Sequence, residues 1–230
     1  MKITHFLILS TTLSISMTSC SNPSTKQNDV HSEMNHDSMS SNVMDTSSSH
    51  GSGTSGAMNK MMSDMHQIQM TGNVDVDFAM MMKAHHQGAV DMAKEELRSG
   101  TADQVKSMAG KIVDAQEKEI DELNNFIESH KRPQKDYDPM NKEVGFGKVM
   151  NRNMTMMMDM PKAEDGSTDQ QFARMMLPHH RSAVFMAEGF VQSGKDPKLL
   201  AMSKKMIADQ KAEIKELQDW LSSIGPNPNR

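Results

Sequence analysis

The chain has 230 residues, 24% charged and 36% hydrophobic, with a formal net charge of −5. That length allows one domain or two small ones, the acidic balance argues against a nucleic-acid binder, and one cysteine leaves no disulfide framework. The outlier is methionine: 27 Met stand against 13 Gly, one Trp and one Tyr, although Met is not a common residue of average domains.

Residues 1–19 carry one Lys, an apolar run from Phe6 to Leu13 and then small residues. The run is too short to span a bilayer and reads as a secretory signal. Thr18 and Ser19 before Cys20 resemble a bacterial lipobox, with Met17 where Leu is usual. Cys20 is therefore expected to be lipidated, making the mature chain an envelope lipoprotein on the periplasmic side, held to a membrane by its anchor. Residues 20–71 are expected to form a disordered tether: Ser, Asn, Thr, Asp and Gly dominate, with His31, His36 and His50 interspersed. The segment Met58 to His66, "MNKMMSDMH", falls in this tether, having no evident apolar partners at helical spacing.

From residue 72 to 225 the period becomes helical, and start and stop signals place four helices. Asp75 is the expected N-cap of the first, which ends before Gly100. Thr101 and Gln104 suggest a capping box for the second, whose apolar stripe runs through Val105, Met108, Ile112, Ile120, Leu123 and Ile127 to an end near His130. The third is expected from Asp169 to about Gln192. The fourth has Asp196 as cap and Pro197 in its first turn, and stops before Gly225. The connection from Lys131 to Thr168 is long for a bundle and suggests a crossover or a functional loop; it holds "MNRNMTMMMDM" at Met150 to Met160.

The chain repeats itself. "FAMMMKAHHQGAVDMA" at Phe78 returns as "FARMMLPHHRSAVFMA" at Phe172, ninety-four positions on, with ten of sixteen residues identical. The same offset pairs Gly100 with Gly194, Gln116 with Gln210, Glu119 with Glu213 and Leu123 with Leu217. The repeating unit is a helical hairpin, residues 75–130 and 169–224. Two hairpins that are each apolar on one side bury those sides against each other, which gives an all-α four-helix bundle.

Residues three or four apart share a helix face. His85 lies on the line of Phe78, Met81, Ala89 and Met92, and His179 on that of Phe172, Met176, Ala183 and Met186. His86 and His180 flank these lines beside Met82 and Met176, and Met175 stands one turn before His179. Imidazoles and thioethers thus converge on the interior from two helices. Gln116 and Gln210 interrupt the stripes of their helices and need partners. Glu119 and Glu213 could accept the imidazole N–H groups, as carboxylates do behind metal-bound histidines, or lie as surface charges beside the stripe; the sequence leaves both open. Thioethers bind soft ions, chiefly Cu(I), and imidazole also suits Cu(II). In an exported chain Met keeps a soft ligand where thiols would oxidise, so the expected cargo is copper, with silver as a chemical mimic. The Met-rich segments are then either drift in a spacer or flexible weak Cu(I) sites.

The doubled "M-x-x-H-H" with its following Ala-Val and Met-Ala, the later Gln-x-x-Glu-Ile and Trp220 resemble a bacterial family known as domain of unknown function number 305, over about residues 75–221. The resemblance implies a ferritin-like bundle, and copper handling at Met81, Met82, His85, His86 and Met92 and at Met175, Met176, His179, His180 and Met186. Ala84 stands where the second copy has Pro178, the form common in the family, so the two sites need not be equivalent. The expectation is a non-enzymatic protein that sequesters copper or hands it to a delivery partner. The competing readings are a ferritin-like di-metal oxidase and a structural lipoprotein without metal.

Overall fold

The computed structural model describes residues 53–160 and 165–225. The signal segment, Cys20 and the tether up to residue 52 lie outside these. Six helices follow in order: α1 (Gly53–Gln67), α2 (Val74–Ser99), α3 (Asp103–Ser129), α4 (Gly145–Met158), α5 (Thr168–Ser193) and α6 (Pro197–Ser223). No strand occurs among the described residues. The fold is all-α, and the hairpins α2–α3 and α5–α6 form its four-helix bundle. α2 and α5 pack on each other at the centre, with α3 along α2 and α6 along α5.

Helix boundaries obey the sequence repeat: α2 and α5 start at Val74 and Thr168 and end at Ser99 and Ser193. The caps differ in part from expectation. Asn73, not Asp75, caps α2, its side chain accepting from the Val76 N–H. Ser167 caps α5 in a capping box with Gln170, and Asp169 stands inside the first turn. The Thr101 hydroxyl caps nothing locally; Ala102 precedes α3 without a side-chain cap, and Thr101 donates instead to Asp169. The physical reason is a competing demand. The chain leaving each central helix carries the orphan N–H groups at the start of the next one. Asp75 accepts from the N–H groups of Lys195 and Asp196 at 2.8 and 3.1 Å, and Asp169 from those of Thr101 and Ala102 at 2.9 and 2.7 Å. The start of each central helix thus holds the far end of the other, so α2 and α5 run antiparallel. Asp196 caps α6 with Pro197 behind it, as its sequence dictates.

Two helices depart from the sequence reading. Residues 53–67, assigned to the tether, form α1, which packs on α2 and touches α5. α4 occupies the middle of the long connection and packs on α5. Both are amphipathic at the ordinary helical spacing: Met58, Met61 and Met65 of α1 and Phe146, Met150 and Met157 of α4 are buried in the core. Thr54, Met58, Met61 and Met65 correspond to Phe146, Met150, Asn153 and Met157 at one common offset of ninety-two. The repeating unit is therefore three helices. Close approach of α1 to α2 needs Gly88, where a Cβ would lie 2.4 Å from Met61 Sδ. The stretch before α4 is tied to the start of α2: buried Asp77 accepts from the Thr71 and Gly72 N–H groups and from the Tyr137 hydroxyl.

Candidate metal centre

A twofold axis through an antiparallel helix pair brings together only residues near the middle of each helix. His85 and His179 are those residues, and their ring centroids lie 3.7 Å apart. His86 and His180 sit one residue further round, their rings 6.5 and 6.0 Å from those of their neighbours. All four imidazoles are wholly buried. Met81, Met82, Met92, Met175, Met176 and Met186 are also buried. The Ser55 hydroxyl of α1 donates to Met175 Sδ and the Asn153 amide of α4 to Met186 Sδ, each at 3.9 Å.

The partners of each ring fix its tautomer, because a carbonyl or carboxylate can only accept. His86 Nε2 lies 2.8 Å from Glu119 Oε2, so Nε2 carries the proton. His180 Nε2 lies 2.8 Å from Glu213 Oε2, though off the direction of a hydrogen bond. His179 Nε2 lies 3.1 Å from the carbonyl oxygen of His85 and therefore donates to it, with Met61 Sδ at 3.2 Å. Ser182 spends its one proton on Asn153 Oδ1 at 2.7 Å, so its oxygen accepts from His85 Nε2 at 3.2 Å. The lone pair is thereby left on Nδ1 in His85, His86 and His179, and the Glu213 carboxylate favours the same form in His180. Nδ1 of all four rings is buried and without a hydrogen-bond partner.

Burial, followed by the neighbouring imidazoles His86 and His180, holds His85 well below the ordinary histidine range. Burial and then His85 do the same to His179. Both rings are neutral at physiological pH, the state in which imidazole is a ligand. Gln116 and Gln210 are buried too, and neither end of either amide has a partner. Unpartnered lone pairs in an apolar interior are costly, and a bound cation would engage the Nδ1 lone pairs without requiring the rings to protonate. Among the described residues no three His, Cys, Asp or Glu side chains are grouped as a metal site by themselves. An ion at these rings would take thioethers into its shell, which selects for a soft one.

The family model of the domain of unknown function DUF305 matches residues 16–127 and 75–221. The chain belongs to the DUF305 family. Its second match covers both hairpins of the bundle and both histidine pairs. The chain is similar to solved structures of CopM. CopM in its Cu(I)-bound form is 28% identical, with a TM-score of 0.51 over 69% of this chain and 100% of that one. The Cu(II)-bound form is 29% identical with the same score, over 65% and 96%. The Ag-bound form obtained by soaking is 28% identical at 0.51, over 69% and 100%. No curated protein matches the chain.

Three residues at this centre escaped sequence reasoning: Met61, Asn153 and Ser182. Met61 and Asn153 are equivalent in the three-helix repeat, and so are Gly88 and Ser182. One half therefore sets a thioether over a glycine beside His179; the other sets an amide on a hydroxyl beside His85. The spacing of Met58, Met61 and Met65 was the available signal.

Proposed function

We propose that this protein binds copper at the crossing of α2 and α5, through His85, His86, His179 and His180 with the surrounding thioethers, as a non-enzymatic member of its family. The observation that carries the reading is the set of four buried Nδ1 atoms with no partner. The Glu119 carboxylate orients His86 by a hydrogen bond as metal-ligating histidines are oriented elsewhere, and Glu213 stands behind His180. CopM, which resembles this chain in fold and sequence, has been solved with Cu(I), Cu(II) and Ag bound, and the same soft and borderline ions suit these donors. The cargo is copper that is sequestered or passed on in the cell envelope. The envelope assignment rests on the signal-like residues 1–19 and Cys20; among the described residues no helix is long and apolar enough to cross a membrane.

Competition titrations with chromophoric Cu(I) and Cu(II) chelators test the site. Replacing His85 and His86 by Ala, or His179 and His180, is expected to remove well over half of the tight binding, because one shared centre loses ligands from both helices. Half retained in each variant would mean two independent sites, and full retention in both would end the proposal. Cys20→Ser is expected to release the protein from membranes, and unchanged fractionation would refute the anchor.

A further inference from the structure

A cleft of about 510 Å³ opens between the end of α1, the start of α2, the 137–142 turn and α4. Seven methionines line it. Met65, Met81 and Met150 are buried there, whereas Met140 and Met158 are 80% and 69% exposed. Large apolar side chains held that far into water gain little from packing, while unbranched thioethers there can swing across an opening. The cleft also holds His66 and Lys142, and no Asp or Glu lines it. That composition offers a hard cation no carboxylate, the ligand such ions chiefly use.

His66 supplies an independent observation. Its Nδ1 lies 2.7 Å from the Met62 carbonyl oxygen one turn back. A carbonyl only accepts, so Nδ1 carries the proton and the Nε2 lone pair is left free at an exposed position. A ring fixed by donating one N–H to a backbone carbonyl is the usual arrangement of a histidine that ligates through its other nitrogen.

We infer that this cleft is a second metal site, taking a soft monovalent ion, Cu(I) or Ag(I), on His66 Nε2 and the thioethers of Met140, Met154 and Met158. It lies apart from the four buried histidines, although Met81 in its lining stands one turn before His85 on α2. The inference rests on the copper reading for the biological ion, and on its own donors for the site.

The full chain labelled with methyl-¹³C methionine and ¹⁵N histidine, titrated with Ag(I) in chloride-free buffer, decides it. Silver adds no redox step. The methyl signals of Met140, Met154 and Met158 are expected to shift together, saturating with one equivalent. A variant carrying His66→Ala, Met140→Leu and Met158→Leu is expected to bind that equivalent at least tenfold more weakly, with its melting temperature unchanged, because the two leucines replace exposed side chains of similar volume. Unmoved methyl signals at saturating Ag(I), or an unchanged affinity in the variant, would overturn the inference and leave the cleft an apolar packing surface. Nδ1 signals of the four core histidines report the other site in the same titration. If they stay still while the cleft methyls respond, the histidine centre fails and the cleft stands; the reverse outcome removes the cleft alone.

Discussion

Glu96 is wholly buried on α2 beside Asp169. Its equivalent in the second repeat is Phe190, which stacks on Phe78 at 3.9 Å. A carboxyl therefore occupies an aromatic's place. Burial, then the neighbouring Asp169, pushes it up to about 8. Asp169 is held down at about 2: burial opposes its charge, but hydrogen bonds from the Ala102 N–H, the Glu96 carboxyl and Thr101 outweigh that. Since the folded value of Glu96 lies above the unfolded one, the folded protein keeps a proton that the unfolded chain releases, and this group lowers stability as pH rises from 4.5 to 8. Glu96→Gln removes the effect. Urea unfolding across that range is expected to show the variant gaining about 2 kcal/mol on the wild type between pH 5 and 8; a pH-independent difference would contradict the assignment. A second carboxylate, Glu119, accepts from His86 Nε2 at the proposed copper site. Glu119→Ala is expected to weaken copper binding by about 10- to 100-fold, and unchanged chelator competition would show that the contact orients no ligand.

At the scale of the element, α1 is the test of what holds the bundle. Met61 is 2% exposed and packs over Gly88, so Met61→Ala is expected to cost about 2–4 kcal/mol of unfolding free energy. Met158→Ala on α4, where the side chain is largely exposed, is expected to stay within about 0.5 kcal/mol. Equal effects in urea titrations would mean that α1 is not part of the core. The same pair of helices marks the limit of what the sequence displays. α2, α3, α5 and α6 are legible because they carry stop signals, an apolar stripe at helical spacing and a repeat without a gap. α1 and α4 are not, because Ser, Asn, Gly and Thr surround a few methionines whose burial is decided by the groove between α2 and α5. Within the centre, the meeting of His85 with His179 follows from the repeat, since only mid-helix residues meet their equivalents across a twofold axis. The tautomers do not follow. They depend on Ser182, Asn153 and the His85 carbonyl, which other helices deliver.

At the scale of the whole molecule, the described residues form two three-helix units locked at both ends by the same device. Asp75 and Asp169 are equivalent in the repeat, and each accepts two backbone N–H groups where the opposite hairpin turns. Removing one carboxylate leaves two donors unpaired at the start of α6 or α3. Asp75→Ala and Asp169→Ala are each expected to cost about 1–3 kcal/mol. The two locks lie at opposite ends of helices of 26 residues, roughly 39 Å at 1.5 Å per residue, and share no partner. Their costs should therefore add to within about 0.5 kcal/mol in the double variant. The comparison belongs near pH 5, where Glu96 keeps its proton beside Asp169 and its penalty is small in every variant. Urea unfolding of the wild type, both single variants and the double variant gives the coupling directly. A double variant losing far less than the sum would show that opening one end already releases the other, so that the crossing of α2 and α5 at the histidines, not the locks, holds the units together.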